Sequence, residues 1–222
     1  MRHRLPLRLA AFFVLALAAT APAETLDPTQ VARRVQARYD ATESFTAAVV
    51  QSMRIESLDK TLTSRGTVAF KKPGRMRWEF TESERQLIIA DGEMLWFYRP
   101  GEQQVFKAPF DRVFRSTTPI SFLTGVGSIV ADFTPSLDGE SPDGKLLYLL
   151  LVPKQAGSDV GQLRLFIDRE EADIRGAEVR DPLGNVSTLE FNNLRRNVRL
   201  DDDQFVFEVP KDVDIITSPF SQ

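Results

Sequence analysis

The chain contains no cysteine, and its one histidine is His3. Without cysteine no disulfide can hold the fold, so the 222 residues must bury an adequate core by themselves. His3 belongs to a segment that reads as a removable leader. Arg2, His3, Arg4 and Arg8 give a positive start, Leu9 to Ala19 is apolar, and Ala21-Pro22-Ala23 is a small-residue cleavage site. The run is too short for a membrane-spanning helix with ordinary flanks. The expectation is a signal peptide over 1–23 and a single mature domain over 24–222, exported and soluble in the periplasm. No cysteine follows the apolar run to take a lipid, so the protein is not expected to be a lipoprotein itself.

Past the leader neither histidine nor cysteine remains. That removes zinc sites built from the usual ligands, Ser-His-Asp and Cys-His nucleophile systems and histidine general bases. Basic charge is also short. Loss of Arg2, Arg4 and Arg8 takes Lys plus Arg from 28 to 25 against 31 acids, a net charge of about −6. Nucleic acid is therefore not an expected partner, because tracking phosphates needs a net basic footprint. No cofactor and no metal is expected.

What is present is alternation. Asp27-Pro28-Thr29-Gln30 is a helix start, with Val31, Val35 and Tyr39 as one apolar stripe ending near 39–42. The period then becomes two. Strands are predicted near 45–55, 62–72, 75–80, 87–90, 94–98 and 104–107, with Asp91-Gly92 a hairpin signal. Thr118-Pro119 through Gly127 reads as a short helix. Strands follow near 131–133, 146–152, 162–168, 174–180, 186–194 and 205–209.

Several strands are apolar on both sides. Leu95 and Phe97 oppose Met94, Trp96 and Tyr98, and Leu146 to Val152 has no charged position. A sheet wet on one side would alternate cleanly. Two readings fit: a sheet curled over an apolar cavity, or a filled core in a two-layer sandwich.

The stretch KKPGRMRWEF, residues 71–80, carries Lys71, Lys72, Arg75 and Arg77. Alternation from Val68 and Phe70 puts Lys71, Arg75 and Arg77 on the polar face, where they read as solvated. Lys72 falls in phase with the oily face. A buried amine must find acceptors or reach the rim, so Lys72 is the candidate for a cation that bonds a covering segment in one state and releases it in another.

These residues carry a resemblance. The order G-x-V-x-F-K-K-P-G-R-M-R-W-E-F, then D-G-x-x-L-W-F-Y-x-P, then Q-V-F, with TPISFLTGVG mid-chain and DDDQFVFEVPKDVDII near the end, resembles the outer-membrane lipoprotein carrier family (LolA). The resemblance implies a mainly β fold: an incomplete, half-open antiparallel barrel of ten or eleven strands, covered by an N-terminal helix and short lid helices. It implies a periplasmic monomer that binds lipoprotein acyl chains in an apolar cavity. Its partners would be acylated lipoproteins, an inner-membrane ABC lipoprotein-releasing complex and an outer-membrane lipoprotein acceptor. Lys72 stands where the family commonly has arginine as the lid gate, and Met76 where it has an aromatic at the mouth. Val68, Phe70, Met76, Trp78, Met94, Trp96, Ile120, Phe122 and Leu123 are the expected cavity, mouth or lid residues. A related half-barrel serving another lipid or glycolipid is the alternative.

Other acidic groups read as structural. Asp201-Asp202-Asp203 is expected to cap or turn rather than hold calcium. Asp168, Glu170 and Glu171 are expected to be a solvated turn rather than a hydrolytic carboxylate pair.

Overall fold

A computed structural model describes residues 26–82, 84–113, 128–154 and 162–217. Helix α1 spans Pro28–Asp40. Its cap is the expected one: the Asp27 carboxylate accepts from the Thr29 amide at 2.9 Å, and Pro28 fills the first turn, where its missing N–H is no loss. Val31, Ala32 and Val35 are buried on one stripe.

Among the described residues, twelve strands form one open sheet. They are β1 Ser44–Ile55, β2 Lys60–Lys71, β3 Arg75–Phe80, β4 Gln86–Asp91, β5 Met94–Arg99, β6 Gln104–Pro109, β7 Phe133–Glu140, β8 Leu146–Pro153, β9 Gln162–Asp168, β10 Ile174–Arg180, β11 Val186–Arg196 and β12 Asp214–Thr217. Their spatial order is 12-6-5-4-3-2-1-11-10-9-8-7, so the sheet ends in two edges and does not close. Every ladder is antiparallel except β12 beside β6. The central β1–β2 pair is in register from Ser44↔Lys71 to Ile55↔Lys60. Gly74 turns β2 into β3 at φ +64, in the left-handed region, with the Phe110 ring where a Cβ would stand.

Two predicted elements are corrected. The strand expected near Ala131–Phe133 is a one-turn helix, Ile129–Asp132, and β7 begins only at Phe133. Ser128 explains it, since its hydroxyl accepts from the Ala131 amide at 3.3 Å as an N-cap. The strand expected near 205–209 is also absent from the ladders. Asp202–Phe205 is a short 3-10 turn, the chain crosses the outside of the sheet, and the ladder strand comes later, at Asp214–Thr217. The helix expected over 118–127 lies outside the described residues.

That crossing segment accounts for strands that are apolar on both sides. It packs its 3-10 turn on the outer face of β3 and β4. Phe205 (1% exposed) becomes buried there, as do Ile89 on β4 and Val105 on β6. Phe207 lies 6.2 Å from the Trp96 ring and 5.7 Å from that of Tyr98. The inner face is apolar for a separate reason. One buried cluster joins α1 to Leu149, Leu151, Leu163 and Leu165 of β8 and β9. A second lies on β1 to β4 and β11 around Phe45, Phe70, Trp78 and Phe191.

The basic residues read as a solvated face are engaged. The Lys71 amine donates to the Leu200 carbonyl at 2.7 Å and to Asp202 at 2.5 Å. Arg75 stands 3.4 Å from the same carboxylate. Arg77 donates to Glu79 at 3.0 Å and reaches the Gln204 carbonyl at 3.5 Å. Together they pin the crossing segment to the outer face. Asp202 is accordingly at a turn, as expected, with its charge paired.

Two outcomes follow. Phe205→Ala should destabilise the protein by about 3–5 kcal/mol, the usual result of emptying a fully buried aromatic site, measured by urea unfolding with unchanged slope. The Lys71 hydrogen bond, reinforced by Arg75, holds the Asp202 pKa below its ordinary value. A depressed carboxylate contributes stability above its unfolded pKa and loses it as pH falls through the folded one. Wild type should therefore exceed Lys71→Met in stability at neutral pH, and the gap should shrink below about pH 4. A gap that stays constant down to about pH 2, below both carboxylate pKa values, would show that Asp202 is not its source.

Candidate functional site

The inner face of β1 to β4 and β11 is built by alternation. From Val68 and Phe70 on β2 the ladder carries the same side to Trp78 and Met76 on β3, then to Ile88 and Ala90 on β4. Val68, Phe70, Met76 and Trp78 are each 3% exposed or less. Aromatic rings run through this face in sequence. Tyr39 of α1 is 6.4 Å from Phe70, Phe70 is 5.4 Å from Phe45, Phe45 is 6.5 Å from Phe191, and Phe191 is 6.3 Å from Trp78.

Met94 and Trp96 do not join this face. The ladder sets Ile88 opposite Phe97 and Ala90 opposite Leu95, so it is Leu95 and Phe97 that point inward. Met94 and Trp96 are on the outer side, where Trp96 meets Phe207. This corrects their expected placement. With both sides of β5 apolar, alternation alone could not choose the face. Ile120, Phe122 and Leu123 lie outside the described residues.

Lys72 follows β2 in phase with the inner face, and its amine finds acceptors. It donates to the carbonyls of Tyr39 and Asp40, both at 3.0 Å, and sits 4.9 Å from the Tyr39 ring centroid. These are the last carbonyls of α1 and carry its negative dipole end. The Tyr39 carbonyl also accepts from the Thr42 amide at 3.0 Å, so the cation adds a second bond there and serves the Asp40 carbonyl beside it. Burial, helped by the Asp40 charge, raises the Tyr39 phenol above its ordinary pKa and keeps the ring neutral.

A second set of ties holds the same helix end. Asp173, 6% exposed, accepts from Arg38 Nε at 2.9 Å on Oδ1 and from Arg196 Nε at 3.2 Å on Oδ2. Glu171 also pairs with Arg38. Burial works against the Arg38 charge, but Asp173 and Glu171 together raise its pKa above the ordinary value. The neighbouring Asp168 caps its own turn, accepting from the Glu171 amide at 3.0 Å and pairing with Arg175 at 3.1 Å. The acidic turn expected to be solvated is thus partly a fastening for α1. Sequence reading missed it because Arg38 and Asp173 are 135 positions apart, and no local pattern links them.

Between the helix end and β1 and β11 a cleft of about 50 Å³ remains, lined by Val35, Tyr39, Phe45, Phe191 and Leu194. That is well below the roughly 300–1,000 Å³ of ordinary ligand sites. Among the described residues the expected cavity is narrow here, bounded by Val35, Tyr39 and Phe45. At the other end of the inner face a recess of about 260 Å³ opens beside Gln51, Met53, Leu62, Ser64 and Gln86. Met53 and Leu62 are exposed there, at 39% and 43%.

The sequence profile described as outer membrane lipoprotein carrier protein LolA matches residues 40–208. A Neisseria meningitidis serogroup B protein named outer-membrane lipoprotein carrier protein is 29% identical over 164 residues, 74% of this chain and 77% of its own length. One of the same name from Cupriavidus taiwanensis is 30% identical over 216 residues, 97% of this chain and 99% of its own. Among solved structures, an uncharacterized conserved protein from Thermus thermophilus superposes with a TM-score of 0.55 at 18% identity, over 86% of this chain and 98% of that one. That likeness is one of fold.

Lys72→Leu should speed amide exchange in the last turn of α1 by roughly tenfold or more, since a hydrogen bond from a charged donor is worth about 1.5–3 kcal/mol, while the β1–β2 ladder keeps its protection. Equal loss of protection in helix and sheet, followed by hydrogen exchange with mass spectrometry, would make Lys72 a support of the whole fold instead.

Proposed function

The chain belongs to the outer-membrane lipoprotein carrier (LolA) family, and from that premise we propose that it is an exported, periplasmic carrier of acylated lipoproteins. It would receive them from an inner-membrane ABC lipoprotein-releasing complex and deliver them to an outer-membrane acceptor. The observation that carries this reading is the inner face. It is apolar across β1 to β4 and β11, and the helix beside it, which lies on β7 and β8 and reaches this face through Tyr39, is held at that end by polar ties that can be broken singly. A core meant to stay shut needs no such fastening.

Loading requires displacement. The small cleft must widen several-fold before it matches the roughly 300–1,000 Å³ of ordinary ligand sites. Release of Lys72 from the Tyr39 and Asp40 carbonyls frees the helix end, with Arg38 and Arg196 on Asp173 as the second catch. Tyr39 moves with the helix end, and the apolar face that begins at Phe70 then receives alkyl chain in its place. Each methylene buried gains about 0.8 kcal/mol, so binding needs no catalytic group. No helix of the described residues is long and apolar enough to cross a membrane. Lysine at the catch is weaker than arginine for this purpose, because it cannot form the planar two-pronged contact.

The chain expressed from its first residue and recovered from a bacterial periplasm should start at Glu24 and carry one triacylated lipoprotein in native mass spectra. Lys72→Leu should slow transfer in a reconstituted release assay. Phospholipid or glycolipid as the sole bound species would replace the lipoprotein reading with that of a carrier for another lipid. Transfer by the variant at the wild-type rate would remove Lys72 from the cycle.

A further inference from the structure

Trp78 sits at the centre of the inner face with a donor that nothing accepts. Its side chain is 3% exposed. Its ladder neighbours are Val68 and Ile88, and its ring neighbours are Phe80 at 5.8 Å and Phe191 at 6.3 Å. None offers an acceptor on its side chain, and the indole Nε1–H has no hydrogen-bond partner. Buried tryptophan usually finds a partner for that group, and an orphan buried donor is a rare feature that needs a reason.

The position along the face supplies one. On the α1 side of Trp78 the inner residues are Phe70, Met76 and Phe45, wholly apolar. Toward the recess polar side chains enter the same face, between Val49 and Phe80 on one side and Met53 and Leu62 on the other. Gln86 pairs with Phe80, one inner position beyond Trp78, and Ser64 and Gln51 follow opposite each other. Two residues of strand span about 7 Å. Trp78 therefore stands one inner position before the first polar side chain of the face, Gln86, and two before Ser64 and Gln51. An acylated amphiphile has the same order of chemistry: alkyl chain, then ester or amide carbonyl, then polar head.

We propose that the Trp78 indole N–H is a ligand-positioning donor that binds the ester or amide carbonyl joining an acyl chain to its head group. The inference rests on the carrier reading and adds depth and direction to it. The alkyl chain runs from Trp78 toward Phe70 and α1, and the head lies toward Gln51, Ser64 and Gln86. An alkyl chain carries no acceptor, so the donor is satisfied only when the carbonyl is at the correct level. The closed state leaves it unmet, which favours exchange of the protein's own packing for an acyl ligand.

The test uses the intact mature chain with Trp96→Phe, a substitution on the outer face, labelled with ¹⁵N at tryptophan so that one indole resonance reports Trp78. Two probes are titrated below their micelle concentrations: a short-chain diacylphosphoglycerol, and its dialkyl ether analogue, which lacks the carbonyls. The expected result is a downfield indole proton shift with the ester lipid and none with the ether lipid. The ester should also bind roughly three- to tenfold more tightly, the net worth of one hydrogen bond. Trp78→Phe should abolish the difference in affinity between ester and ether, whatever it does to the ether itself. Equal shifts and equal affinities for the two lipids would overturn the inference and leave the carrier reading standing. So would an indole proton already hydrogen-bonded without lipid and unmoved by it. Failure of both lipids to bind would overturn the inference and the carrier reading together. The resonance arm keeps Trp78 in place, so it decides the matter even if Trp78→Phe does not fold.

Discussion

A lysine amine on the oily side of a sheet cannot be left without acceptors, and most of this structure can be understood from where Lys72 finds them. The ends of β2 and α1 meet where an ammonium group that needs acceptors finds the last carbonyls of a helix, at its negative dipole end. That contact fixes the C-terminal end of α1 at the edge of the aromatic series Tyr39, Phe70, Phe45. From there the helix lies along the leucines of β8 and β9, and the Arg38–Asp173–Arg196 set fastens the same end to the opposite half of the sheet. Two halves of an open sheet are thus joined through a helix by groups that are polar, few and close together.

The two faces are covered by different means, and the difference is physical. On the outer face Phe205 and Phe207 are inserted among Ile89, Val105 and Trp96, and Lys71, Arg75 and Arg77 hold the chain on either side. Opening it would expose several fully buried side chains together with a row of charges. On the inner face the helix contributes Val31, Ala32 and Val35, small or medium side chains that leave little area to recover. A two-sided apolar sheet therefore has one cover built on large buried aromatics and one built on small side chains and polar ties. The four basic residues of one ten-residue stretch divide between them: three hold the outer segment and Lys72 holds the helix end.

The sequence made α1, its cap and the strand run from β1 to β6 readable, since alternation and turn chemistry are local properties. It also placed Lys72, Val68, Phe70, Met76 and Trp78 on one face, because the period of two holds without interruption from Val68 to Phe70 and again from Met76 to Phe80. It could not place Trp96, since β5 is apolar on both sides and its phase is set by pairing with β4. Nor could it see that 206–213 covers the sheet. That stretch has the composition of a strand, and only its position over Ile89 and Val105 makes it a layer. The parallel partner for β6 and the Arg38–Asp173 tie join residues more than a hundred positions apart, beyond any local pattern.

A filled interior changes the energetics expected of a carrier. If the cavity stood open and wet, an alkyl chain of about fourteen methylenes would gain on the order of 11 kcal/mol on entering, and release would be slow. Here the same face is already buried against Tyr39, Phe110 and its own aromatics, so a ligand replaces contacts rather than water. The net gain is the difference between two dry packings, less the entropy of ordering the chain and the ties broken at Lys72 and Asp173. Such a difference is small by construction. On the carrier reading proposed above, it would let a partner of only slightly better fit take the cargo, and the polar terms would decide direction although they are individually minor: a lysine returning to two carbonyls, a carboxylate to two guanidiniums. With hydrophobic gain nearly balanced, such a carrier would be driven toward its empty form by the groups that look least suited to handling an oily ligand.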